Sequence, residues 1–226
     1  MNTVNKTARI AGFFYLLYFV VEILADALGR SPLIAMEDAA VTAGNIVAHE
    51  WQFRIGIVGD LVAGVLFFLA AWALYALLKP VNKNLALLFM LLNLGGVAVR
   101  FAVDLDYIAA LLLSSGADPL TVFQTDQLQA LAMTFIHLQK YGYWASQIFF
   151  GAWLFPLGYL VYKSGFLPKI LGIVMMIHFV GWTTTSLLFF LFPGFGAILY
   201  LTGPLGFISE GGLTLWLLIM GVKEQK

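Results

Sequence analysis

Six long apolar runs occupy most of this 226-residue chain, at about 8–28, 56–78, 85–113, 143–162, 168–192 and 198–222. Each is long enough to cross a hydrocarbon core about 30 Å thick as a helix rising about 1.5 Å per residue. In lipid, backbone polar groups must be satisfied within the protein, which leaves helices or a closed barrel. Barrel strands are about ten residues of alternating polarity, and no run here alternates. The expected fold is therefore all-α, a polytopic bundle of six transmembrane helices forming one domain over 1–226. Composition agrees, because 62% hydrophobic and 11% charged residues fall far from the roughly 25% charged residues of a soluble domain. The partner this demands is the lipid bilayer. Equal numbers of basic and acidic residues, 12 each, argue against a nucleic-acid partner, which needs a basic face. The absence of cysteine excludes disulfides, thiolate catalysis, iron–sulfur clusters and Cys-ligated zinc.

The connections carry turn chemistry. In Lys163-Ser164-Gly165-Phe166-Leu167-Pro168 a glycine follows one span and a proline opens the next, which predicts a tight hairpin. Lys79-Pro80-Val81-Asn82-Lys83 makes a second short turn on the same side. The longer connections, 29–52 and 114–140, lie on the opposite side. In the second, Leu120, Phe123, Leu128, Leu131, Phe135 and Leu138 recur at helical spacing after Asp118-Pro119. That spacing predicts an outer amphipathic helix at about 119–140, or else an outward extension of the fourth span. Lys6, Arg9, Lys79, Lys83, Lys163, Lys169, Lys223 and Lys226 fall on one side, against Arg30, Arg54 and Lys140 on the other. By the positive-inside rule both termini are cytoplasmic, in a cell membrane. Lys6 and Arg9, the first apolar run and Ala25-Asp26-Ala27 also resemble a signal peptide with its cleavage site, although Glu22 fits such a segment poorly.

Ionisable groups inside a span cost about 2.5 to 3.5 kcal/mol on insertion scales and are functional candidates by default. Counted from the inner basic ring at about 1.5 Å per residue, His178 stands at about 14 Å and Glu22 and Glu210 at about 20 Å. Gln147 follows at about 24 Å, Arg100 and Asp26 at about 26 Å, Asp60 at about 28 Å and Asp104 at about 31 Å. This outer-half clustering predicts an acidic, outward-facing pocket lined by Glu22, Asp26, Asp60, Arg100, Asp104, Gln147, His178 and Glu210. Helical phase puts Tyr15, Tyr18, Glu22 and Asp26 on one stripe, and Asn93, Arg100, Asp104 and Tyr107 on another. Gly56 and Gly64 flank Asp60, and Gly203 and Gly206 precede Glu210, where small residues allow close helix approach. Read more plainly, Arg100 and Asp104 form a structural ion pair, the aspartates sit among headgroups and His178 is a packing residue. Six acids, with Asp106 included, face Arg100, with Arg54 near the rim. Balancing them takes protonation or a bound cation.

Phosphate loops, His-Glu-x-x-His, Gly-x-Ser-x-Gly and paired histidines at i, i+4 are absent. The residues therefore name no metal site, catalytic group or cofactor. Ala8-Arg9-Ile10-Ala11-Gly12 with Tyr15-Leu16, Leu74 through Asn82, Phe149-Phe150-Gly151 leading into Leu157-Gly158-Tyr159-Leu160, and the Ser164-Gly165-Phe166-Leu167-Pro168 hairpin resemble a bacterial membrane-protein family, the domain-of-unknown-function group 4386. Phe53-Arg54 followed by Asp60 is similar too. The resemblance implies an integral membrane protein of bacterial type, in the bacterial inner membrane, and supplies no activity, substrate or cofactor. The leading expectation is a pocket that takes a small cation, a proton or a polar-headed lipophilic ligand. The alternatives are an intramembrane enzyme acting on lipid or isoprenoid substrates, a secondary transporter, and a structural or sensory subunit.

Overall fold

A computed structural model describes residues 3–116, 120–192 and 199–222. The expectations resting on Asp118, Pro119, Ile198, Lys223 and Lys226 lie outside the described residues. Helix α1 spans Thr3–Leu24 and continues through a π-helical turn, Ala25–Arg30, into a short 3-10 turn, Ser31–Leu33. Then come α2 (Ala39–Ala48), α3 (Glu50–Leu78), α4 (Lys83–Ser115), α5 (Thr125–Lys163) and α6 (Lys169–Leu191). The last segment is α7 (Leu199–Gly206), a second π-helical turn (Phe207–Gly211) and α8 (Gly212–Ile219). Among the described residues, five helices are long and apolar enough to cross a membrane, which makes this an all-α, multi-pass membrane protein.

One connection carries more structure than the sequence expectation, and another takes one of its two expected forms. The stretch read as a loop between the first two spans contains α2, whose first turn is capped by Asp38 accepting the Val41 N–H at 2.9 Å. An aspartate at that position satisfies a backbone donor that the helix itself leaves open. Of the two forms expected for about 119–140, an outer amphipathic helix or an outward extension of the fourth span, the described residues take the second, because Thr125–Lys163 is one continuous helix of 39 residues. No proline interrupts it between Gln139 and Tyr143, and Gly142 lies directly against the Val103 side chain.

The short turns are built as their residues dictate. Ser164 donates to the Val161 carbonyl at 2.8 Å and accepts the Leu167 N–H at 3.1 Å, while Gly165 adopts a φ of +75° that favours glycine. Asn82 accepts the N–H groups of Asn84 and Leu85, starting α4.

The chain divides into two compact units. The first comprises Met1–Tyr18, Val65–Ala98 and Trp144–Lys226. An aromatic core fills it: Phe67 stacks on Tyr18 at 4.1 Å and meets Trp153 edge-on at 4.9 Å. Helices α5 and α6 cross at Gly158 and Gly172, where a Cβ on Gly158 would come within 2.8 Å of the Gly172 carbonyl oxygen. Asn5 accepts the Val222 N–H at 2.8 Å. The second unit comprises Phe19–Gly64 and Val99–Tyr143, and one of its apolar clusters gathers Leu33, Ile46, Phe53, Ile57, Tyr107, Leu111 and Ile136. Within it the π-helical turn lies flush on α3. A Cβ on Gly29 would be 2.6 Å from the Gly56 Cα, and one on Gly59 2.6 Å from the Ala25 Cβ.

Candidate functional site

The second unit gathers most of the expected polar residues around two buried guanidinium groups. Arg100 on α4 donates from Nε to Asp104 Oδ1 at 3.0 Å. Its Nη2 lies 3.4 Å from both Asp60 Oδ1 and Glu22 Oε1, and its guanidinium carbon sits 4.8 Å from the centre of the Tyr143 ring. Arg30, carried by the π-helical turn, donates to Asp60 Oδ1 at 2.7 Å and to the Tyr107 hydroxyl at 3.0 Å. Gln139 donates to Asp104 Oδ1 at 3.2 Å. The half-exposed Asp26 lies 3.5 Å from Arg30 and accepts the Ser31 hydroxyl at 2.7 Å.

The two inner carboxylates are satisfied on one oxygen only. Asp60 Oδ1 takes both arginines and Asp104 Oδ1 takes Arg100 and Gln139, yet Oδ2 of each is buried with no hydrogen-bond partner among the described residues. Both aspartate side chains are 1% exposed, against 26% for Glu22 and 53% for Asp26. The centre thus grades from a sealed end at Asp60 and Asp104 to an open end at Glu22 and Asp26. Buried polar atoms are nearly always paired, so two bare acceptors side by side with cations mark unused binding capacity. No group of three His, Asp or Glu side chains is placed to hold a metal ion among the described residues.

The first unit holds the remaining candidates in a different arrangement. Tyr15 donates its hydroxyl hydrogen to Glu210 Oε1, and Glu210 Oε2 lies 4.0 Å from His178 Nδ1. Ser209 Oγ is 3.1 Å from the same Nδ1 and donates to the Gly206 carbonyl at 3.3 Å. Gln147 accepts the Trp182 indole N–H at 3.1 Å. Serine, histidine and glutamate are adjacent but do not form a nucleophile relay. That relay needs the serine on one imidazole nitrogen and the acid on the other. Here both face Nδ1, and Nε2 is buried without a partner among the described residues.

The sequence reading misses Arg30, assigned to an outer loop, and with it half the compensating charge. Gly29-Arg30-Ser31-Pro32 looks like a turn, whereas the π-helical turn continues α1 and brings Arg30 inward, 4% exposed. The legible signal is the spacing of Gly56 and Gly59 on α3, which clears room for it. Arg54, expected near the acids, instead pairs with Glu50 at 2.7 Å on an exposed surface. Gln139 and Tyr143 carry no sequence signal beyond their place on α5, and Ser209 none that ties it to His178.

A membrane-spanning helix bundle with ionisable clusters inside its spans is the class these observations define. The family of the domain of unknown function DUF4386 matches residues 10–221, and the chain belongs to it. A protein of Archaeoglobus fulgidus described as uncharacterised is 34% identical over 167 residues, covering 74% of this chain and 84% of its own length. The similarity therefore reaches beyond the bacterial setting that the resemblance implies. No solved structure matches the chain.

Proposed function

We propose that this protein binds a small cation, in the simplest case a proton, at the Asp60 and Asp104 end of the second unit's charge cluster. The observation that carries the reading is the pair of buried, unpartnered oxygens, Asp60 Oδ2 and Asp104 Oδ2. Four carboxylates, Glu22, Asp26, Asp60 and Asp104, surround Arg30 and Arg100, an excess of two negative charges when all are ionised. A proton or a cation at the bare oxygens lowers that excess where water is too scarce to screen it. Glu22 and Asp26 provide the way in, from the outer face in the topology expected of the basic residues.

The six-span topology fits this reading. We read α7, its π-helical turn and α8 as a sixth span beside the five long helices. The bond from Val222 to Asn5 supports this reading, because it keeps the end of α8 beside the start of α1, as an even number of crossings would. A second reading, a proton-coupled carrier of a small polar or lipophilic solute, draws on the interruption of both polar clusters by π-helical turns. Broken helices at ion sites are a habit of secondary transporters.

Proton binding is tested by titrating the purified protein in nanodiscs with an indicator dye, from mildly acid to mildly alkaline pH. Wild type should take up more protons per chain than Asp60→Asn or Asp104→Asn. Equal uptake by all three rules out the proton. Thermal stabilisation by alkali or organic ammonium ions, lost in the same variants, would then identify the cation, and no response to any of them sinks the proposal.

A further inference from the structure

The first unit presents a rim of cations at its helix ends. Among its described residues stand Lys6, Arg9, Lys79, Lys83, Lys163 and Lys169, against one described acid, Glu210. Glu210 is engaged by Tyr15 deep in the unit, far along the helices from every lysine. Three of the lysines lie over tyrosine rings: Lys79 Nζ is 5.8 Å from the centre of Tyr75, Lys163 5.8 Å from Tyr159, and Lys169 5.7 Å from Tyr162.

These pairs share one level. The Phe67 and Phe150 rings are 5.2 Å apart, and consecutive crossings alternate, so α3 and α5 run the same way. Lys79 and Lys163 follow those rings by twelve and thirteen residues, about 18 to 20 Å along each helix. Lys163 and Lys169 sit five and three residues from the Gly158 and Gly172 contact. The three lysines therefore ring the hairpin end of the unit, each exposed ammonium beside a phenol at the depth where lipid headgroups lie.

We infer that this rim is a binding surface for anionic phospholipid, with each lysine and its tyrosine offering an ammonium and a hydroxyl to a headgroup phosphate. Charge complementarity selects the occupant, because a unit with six positive charges in excess over its stretches meets a leaflet whose own charge is negative. The surface is built from residues of the first unit and the Asp60 and Asp104 centre from residues of the second, so the two are tested by different variants.

The test is thermal unfolding of the full chain in neutral detergent with added phosphatidylglycerol, phosphatidylcholine or inorganic phosphate. Phosphatidylglycerol should raise the melting temperature by several degrees more than phosphatidylcholine. The difference should vanish in the triple variant Lys79→Gln, Lys163→Gln, Lys169→Gln and persist when the same lysines become arginine. An equal response to phosphatidylcholine, or an undiminished response in the glutamine variant, overturns the inference. Phosphate alone giving the full shift would also overturn it, in favour of a free anion. Should the triple variant not fold, native mass spectrometry of the wild type decides, since phosphatidylglycerol must be retained over phosphatidylcholine and be stripped by salt.

Discussion

The two units handle charge in opposite ways, although the chain as a whole is neutral. The stretches of the first contain eight Lys and Arg against Glu210 and Glu224, six positive charges in excess. Those of the second contain Arg30, Arg54, Arg100 and Lys140 against ten Asp and Glu, six negative in excess. In the first unit the described cations lie exposed toward helix ends, and its one described acid is met by Tyr15 and His178. In the second, full charges are buried against one another. A buried charge is tolerable only with partners, so the second unit depends on its network, while the first depends on apolar packing. Net charge by itself conceals this difference.

The sharpest way to break the comparison is Arg100→Met, which leaves Asp104, Asp60 and Glu22 without their shared cation. Losing one member of such a buried cluster costs about 3 to 5 kcal/mol. The variant should show a large drop in unfolding free energy in mild detergent, and adding Asp104→Leu should recover part of it. If the two losses simply add, the cluster is not coupled. A smaller effect is expected in the first unit from Tyr15→Phe, which strips a donor from Glu210 and costs about 1 to 3 kcal/mol. Combining it with Glu210→Gln in a double-mutant cycle should expose the coupling. Smallest is Arg54→Ala, whose exposed pair with Glu50 is worth about 0 to 1 kcal/mol, so chemical denaturation should barely separate it from wild type. A large loss there would mean that surface pairs also carry the second unit.

The helices were readable from the sequence because apolar length is a local property. The short turns were readable for the same reason, with Ser164, Gly165 and Asn82 acting within a few residues. Depth and helical phase assigned Glu22, Asp26, Asp60, Arg100, Asp104, Gln147, His178 and Glu210 to one pocket, whereas the first five belong to the second unit and the last three to the first. What the sequence did not disclose was how these divide between the units, since that depends on contacts between residues such as Arg30 and Asp60 that lie far apart along the chain. Helix α2 was missed although Asp38 is a ready cap, because a ten-residue helix is too short for periodicity to stand out. The continuation of the fourth span outward to Thr125 stood in the sequence as one of two alternatives, because an amphipathic face looks alike whether or not its helix ends.

The π-helical turn at Ala25–Arg30 bears on how such a centre is acquired and lost. A π-helical turn is in effect one residue more than the α-helix around it requires, and one residue corresponds to about 100° of rotation. Removing a single codon from this stretch would restore regular helix and swing Arg30 away from Asp60 while every side chain of the cluster remained in the gene. Among relatives of this chain, the length of the segment between Glu22 and Pro32 is thus as informative about the centre as the identity of its charged residues, and a one-residue gap there would mark a lineage that had dismantled it without a single substitution.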